Sequence, residues 1–174
     1  MLRTYLPAAL ALLAVAAAAA TASSQQSGFS GAWKLNLNKS SMAAEHTPSD
    51  YELTRTLAQD GSQLTITDNA AHQAMMNIPM PDSRTTTTLI ADGQAHAGKG
   101  TPFFPGLPAP DVEISAEWQG GTLFVTERGS GFGGLTTTHF RYYLSAGGSE
   151  LIDLVDSHST FGDSEQRLVF DKQP

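Results

Sequence analysis

Asp111-Val112-Glu113-Ile114-Ser115-Ala116-Glu117-Trp118-Gln119-Gly120-Gly121-Thr122-Leu123-Phe124-Val125-Thr126 decides the fold class. Val112, Ile114, Ala116 and Trp118 fall on one face of an extended chain, and Asp111, Glu113, Ser115 and Glu117 on the other. A period of two is the mark of a half-buried strand. Gln119-Gly120-Gly121 then predicts a turn, because glycine takes positive φ without a Cβ clash, and Thr122 to Thr126 returns as the partner strand.

The same rhythm runs outward in both directions. Tyr51 to Ala58 alternates, Gln59-Asp60-Gly61-Ser62 turns it, and Gln63 to Thr67 comes back. Arg84 to Ile90 is Thr-rich and strand-prone and ends at Asp92-Gly93. Thr136 to Leu144, Glu150 to Ser157 and Gln166 to Asp171 follow, and Phe29 to Ser40 reads as the first strand. Met42 to His46 has room for one helical turn. The pattern predicts a single all-β domain: an antiparallel up-and-down meander of about eight or nine strands, closed or nearly closed into a barrel.

The first 22 residues read as a signal peptide. Arg3 gives a positive start, Ala8 to Ala20 an apolar run shorter than the about 20 residues a membrane span needs, and Ala20-Thr21-Ala22 small residues for a peptidase. Cleavage is expected after Ala22, leaving residues 23–174 as the domain, periplasmic or secreted from a bacterium and not membrane-embedded. The chain carries 17 acidic against 10 basic residues, a net charge of −7, which excludes nucleic acid as an expected partner. With no cysteine there is no disulfide, thiolate metal site or thiol catalysis.

Two segments break the rhythm. Ala70 to Ser83 holds Met75-Met76-Asn77-Ile78-Pro79-Met80-Pro81, and Gly98 to Pro110 holds Pro102-Phe103-Phe104-Pro105-Gly106-Leu107-Pro108. Proline keeps both out of central strands, and both are more apolar than ordinary surface loops.

Phe29-Ser30-Gly31-Ala32-Trp33-Lys34-Leu35-Asn36-Leu37-Asn38-Lys39-Ser40 resembles the start of a group of secreted bacterial lipocalin-like proteins of unknown function. Glu117-Trp118-Gln119-Gly120-Gly121-Thr122-Leu123 and Leu168-Val169-Phe170-Asp171-Lys172-Gln173 resemble the same group, so the likeness spans Phe29 to Gln173; the Gly98 to Pro110 insert departs from it. Gly31-x-Trp33 is also similar to the first-strand motif of lipocalins and the wider calycin group. There the tryptophan closes one barrel end beneath a basic side chain from a late strand. The resemblance thus implies Trp33 as the plug, Arg167 as its cation–π cover, and a capacity to bind a small apolar molecule.

Gly129-Ser130-Gly131-Phe132-Gly133-Gly134 matches a dinucleotide-binding pattern, but a Thr-rich strand follows where a helix is required, so a hairpin loop is expected. His72, Met75, Met76 and Met80 form a His/Met cluster suited to Cu(I), or else apolar packing. Asp153, Asp156, His158 and Asp163 read as exposed carboxylates at a strand end rather than a metal or acid–base site. No nucleophile motif stands between a strand and a helix, and five scattered histidines make no triad.

Arg55 shares the apolar face of Tyr51, Leu53 and Leu57 and needs a partner there: an internal acid, Trp33, or a ligand carboxylate. The expected function is non-enzymatic binding of a small hydrophobic molecule in or at the mouth of the barrel, without a cofactor, using Arg55, Met75, Met76, Met80, Phe103, Phe104 and Leu107. The alternatives are a filled barrel acting as a protein-interaction or envelope-structural module, and periplasmic copper binding.

Overall fold

The computed structural model describes residues 28–42, 49–75, 78–101, 108–131 and 134–174. The expected signal peptide and most of the Met42 to His46 stretch lie outside them. The strands are β1 (Gly31–Leu35), β2 (Glu52–Asp60), β3 (Gln63–Ala71), β4 (Ala74–Met75), β5 (Ile78–Pro79), β6 (Ser83–Ile90), β7 (Ala95–Lys99), β8 (Asp111–Gln119), β9 (Thr122–Gly131), β10 (Gly134–Leu144), β11 (Glu150–Ser159) and β12 (Gly162–Lys172).

Ten of them form one antiparallel sheet in the order β6-β3-β2-β1-β12-β11-β10-β9-β8-β7, and β4 and β5 form a small separate ladder. The expected eight or nine strands become ten. The one missed is β7, Ala95-His96-Ala97-Gly98-Lys99, whose apolar alternation is too weak to read; its ladder with β8 holds it. The two edge strands, β6 and β7, are consecutive in the chain and lie against each other, and the Gly93 N–H donates to Ala116 O at 2.9 Å nearby. The sheet is thus a nearly closed barrel with one seam.

First and last strands pair side by side: Trp33 stands opposite both Arg55 on β2 and Lys172 on β12. The opening motif explains this residue by residue. Gly31 sits at φ 138°, a conformation that side chains rarely adopt. β1 stops at Leu35, and Leu37–Lys39 make a 3-10 turn in place of the strand expected to Ser40. Asn36 N–H donates to Val169 O at 2.8 Å and its Nδ2 to Asp171 Oδ2 at 2.7 Å. Ser40 Oγ accepts from Val169 N–H at 2.9 Å and donates to Asn36 O at 2.7 Å. The polar letters of the motif therefore fasten β12.

One barrel end is packed solid. Phe29 and Trp33 are fully buried, Trp33 Nε1–H donates to Phe29 O at 3.1 Å, and Phe29 meets Trp118 edge-to-face at 4.8 Å. Leu64, Leu123, Leu151 and Phe170 are fully or almost fully buried with them. Each such side chain contributes about 1.5–3 kcal/mol of burial. The cation over Trp33 is Lys172, its Nζ 5.3 Å from the ring centroid. This corrects the expected Arg167 cover. Arg167 lies on the outward parity of β12 and donates instead to Lys39 O at 2.8 Å.

Candidate functional site

The other half of the barrel is hollow. A cavity of about 630 Å³ is lined by apolar side chains including Leu53, Ile66, Leu89, Val125, Phe140 and Leu168. These come from the first half of β2, the second half of β3 and the facing parts of β6, β9, β10 and β12, away from Trp33. The exposed residues Arg84, Thr101 and Pro108 also line it, so it reaches the surface there. Gln73 and Ser83 stand at the base of the Met-rich segment, and Thr101 and Pro108 flank the Pro-rich one.

A polar group crosses its inner end. Arg55 is 6% exposed and points inward from β2. Its Nε and Nη2 donate to the two oxygens of Asp68 on β3, both at 2.8 Å, in a bidentate fork. Its Nη1 donates to Asp153 Oδ2 on β11 at 2.8 Å. The guanidinium passes over the Phe170 ring, 4.7 Å from its centroid, and lies 5.6 Å from that of Tyr142. Asp153 is 1% exposed, and its Oδ1 has no hydrogen-bond partner among the described residues. Such an orphaned buried acceptor is uncommon in folded proteins.

Burial dominates the titration of these groups. It pushes the Asp153 carboxyl up to about 6, against the pull of Arg55. Burial also works against the Arg55 cation, but Asp68 and Asp153 more than offset it and hold the guanidinium well above its ordinary value. Glu127 on β9, nine-tenths buried, is raised by burial, although its Oε2 accepts from Thr101 N–H at 3.1 Å. Burial raises Tyr51 to about 12, and burial also pushes Tyr142 well above its ordinary value.

Of the residues expected to bind, Arg55 is at the cavity, committed to two internal acids. Met80 is half-buried, and its N–H donates to Gln73 O at 2.8 Å. Met75 is in β4, but its side chain is outside the described residues, as are Met76, Phe103, Phe104 and Leu107 altogether. His72 is an exposed residue with φ 55°, and its N–H donates to Asp82 Oδ1 at 3.3 Å. Among the described residues no group of His, Asp and Glu is arranged to hold a metal.

Asp153 corrects the reading of exposed carboxylates, since it faces the interior. Asp156, His158 and Asp163 remain outside: His158 Nδ1 lies 2.9 Å from Asp163 Oδ1 and Nε2 3.4 Å from Asp156 Oδ1. The Gly129–Gly134 motif is a hairpin in which Gly131 pairs with Gly134. Asp68, Asp153 and Glu127 were missed as site residues. The signal that exposes Arg55 applies to Asp68 and Glu127 as well, since Ile66-Asp68-Ala70 and Val125-Glu127 each share one strand face.

No family model matches the chain, and no curated protein matches it. Solved structures do. The Schistosoma mansoni fatty acid binding protein in complex with arachidonic acid superposes with a TM-score of 0.56 at 16% identity, over 85% of this chain and 98% of that one. The apo lipid binding protein 8 of Caenorhabditis elegans gives 0.56 at 13%, over 85% and 97%. The zebrafish ileal bile acid-binding protein complexed with cholic acid gives 0.55 at 15%, over 84% and 100%. The chain shares the barrel fold of these structures, whose names record binding of fatty acid, lipid and bile acid. The lipocalin-like resemblance is supported at the level of the barrel.

Proposed function

We propose that this protein is a non-enzymatic carrier of a small hydrophobic molecule held inside the barrel. In this reading it is exported to a bacterial periplasm and cleaved after Ala22. The observation that carries the reading is the cavity of about 630 Å³, within the roughly 300–1,000 Å³ range of small-molecule sites. Its wall mixes apolar side chains with Ser, Thr and Gln residues, and Arg55, Asp68 and Asp153 converge at the inner end. An interaction module with a filled barrel has no use for such a space. The fold neighbours named for fatty acid, lipid and bile acid binding support the same class of ligand.

A neutral hydrophobic dye tests it. Nile red is expected to bind one-to-one and saturably. Ala70→Phe, which adds a ring at a buried position on the wall, should weaken binding at least about tenfold. A linear, non-saturating signal, or one indifferent to Ala70→Phe in a folded variant, overturns the reading.

A further inference from the structure

The inner end of the cavity holds one cation and two anions in direct contact: Arg55, Asp68 and Asp153. Each nitrogen of the guanidinium already donates to a carboxylate oxygen, and Phe170 and Tyr142 cover it. Three of its five N–H donors are thus taken by carboxylates, and an incoming acid would share the guanidinium with both of them. The local balance is minus one, and Glu127 adds another carboxylate to the wall. Arg84, the other cation of the lining, is exposed at the rim.

Asp153 Oδ1 gives this imbalance a direction. Asp153 lines the cavity, and its buried Oδ1 accepts no hydrogen bond from the described residues. A carboxylate head group brought there would raise the local balance to minus two and leave Oδ1 facing another acceptor. A protonated nitrogen supplies the missing donor and brings the balance to zero, the condition for burying charge at modest cost.

We propose that the cavity selects an amphipathic ligand with a cationic, hydrogen-bond-donating nitrogen head, which Asp153 Oδ1 accepts at the inner end, and discriminates against fatty acids of equal length. This rests on the reading of the barrel as a carrier and adds the chemistry of the head group. Glu127 contributes negative potential along the wall that the apolar body passes.

The test is calorimetric titration of the protein, near neutral pH, with decylamine, decanol and decanoate below their micelle concentrations. Decylamine is expected to bind at least about tenfold more tightly than either of the others. Asp153→Asn should erase that preference, bringing decylamine and decanol affinities to within about twofold of each other. Should Asp153→Asn fail to fold, Asp68→Asn decides: it is on the partly exposed side of the cluster and moves the local balance to zero, so the decylamine preference should fall several-fold. Decanoate binding as tightly as decylamine, or a preference untouched by the substitution that folds, overturns the head-group proposal and leaves the carrier reading standing. If none of the three ligands binds, the carrier reading fails and the proposal fails with it.

Discussion

Asp153 is the residue on which the chemistry of the interior turns. In an unfolded chain an aspartate loses its proton near about 3.9. In this fold burial holds that proton until about 6, with Arg55 opposing and Asp68 reinforcing the shift. Between those values the folded state binds the proton more tightly than the unfolded one. The contribution to stability is therefore full below about 4 and is lost as pH rises through about 6. Urea unfolding across that window measures it: the stability of the natural chain minus that of Asp153→Asn should decline with rising pH, and a flat or rising difference contradicts the assignment. Arg55 was legible in the sequence because a lone cation interrupts an otherwise apolar face of β2. Asp153 was not, because β11 carries apolar side chains on both faces. Leu151 and Val155 share its side, yet Ile152 is also buried and Leu154 partly so, and parity alone does not show which way an acid points.

At the scale of elements, close approach of β8 and β9 narrows the wall near the cavity. A Cβ on Gly129 would lie 2.5 Å from Val112 Cγ1 and 3.2 Å from the Asp111 carbonyl oxygen. Gly129→Ala should cost about 1–3 kcal/mol as an overpacking change. Adding Val112→Ala should recover part of it, since the two side chains then no longer compete for one space. Equilibrium unfolding of the two single variants and the double variant checks this, and strict additivity would contradict it. β2 and β8, with clean alternation, were readable from their sequences to within about two residues, whereas β3 runs four residues past the expected Thr67 to Ala71. β7 escaped because Ala95-His96-Ala97-Gly98-Lys99 owes its conformation to pairing with β8 rather than to its own pattern. β9 runs five residues past the expected Thr126 to Gly131, and that extension carries Glu127 into the cavity wall.

For the whole molecule, the barrel has one weak line. β6 and β7 each have a ladder partner on one side only, whereas β11 and β12 are bonded on both. Amide exchange followed by mass spectrometry should find the β6 and β7 peptides opening ahead of those from β11 and β12, and equal protection across the barrel would contradict that order. The fastening of Asn36 and Ser40 onto Val169 and Asp171 has a temporal consequence. A ribosome delivers β1 well before its neighbour β12, so the motif waits for its partner while the strands between them emerge. Until then one edge of β1 stands open, and every nascent intermediate is a curled ribbon rather than a vessel. Pairing of β12 with β1 is then the event that turns this chain from a sheet into a container.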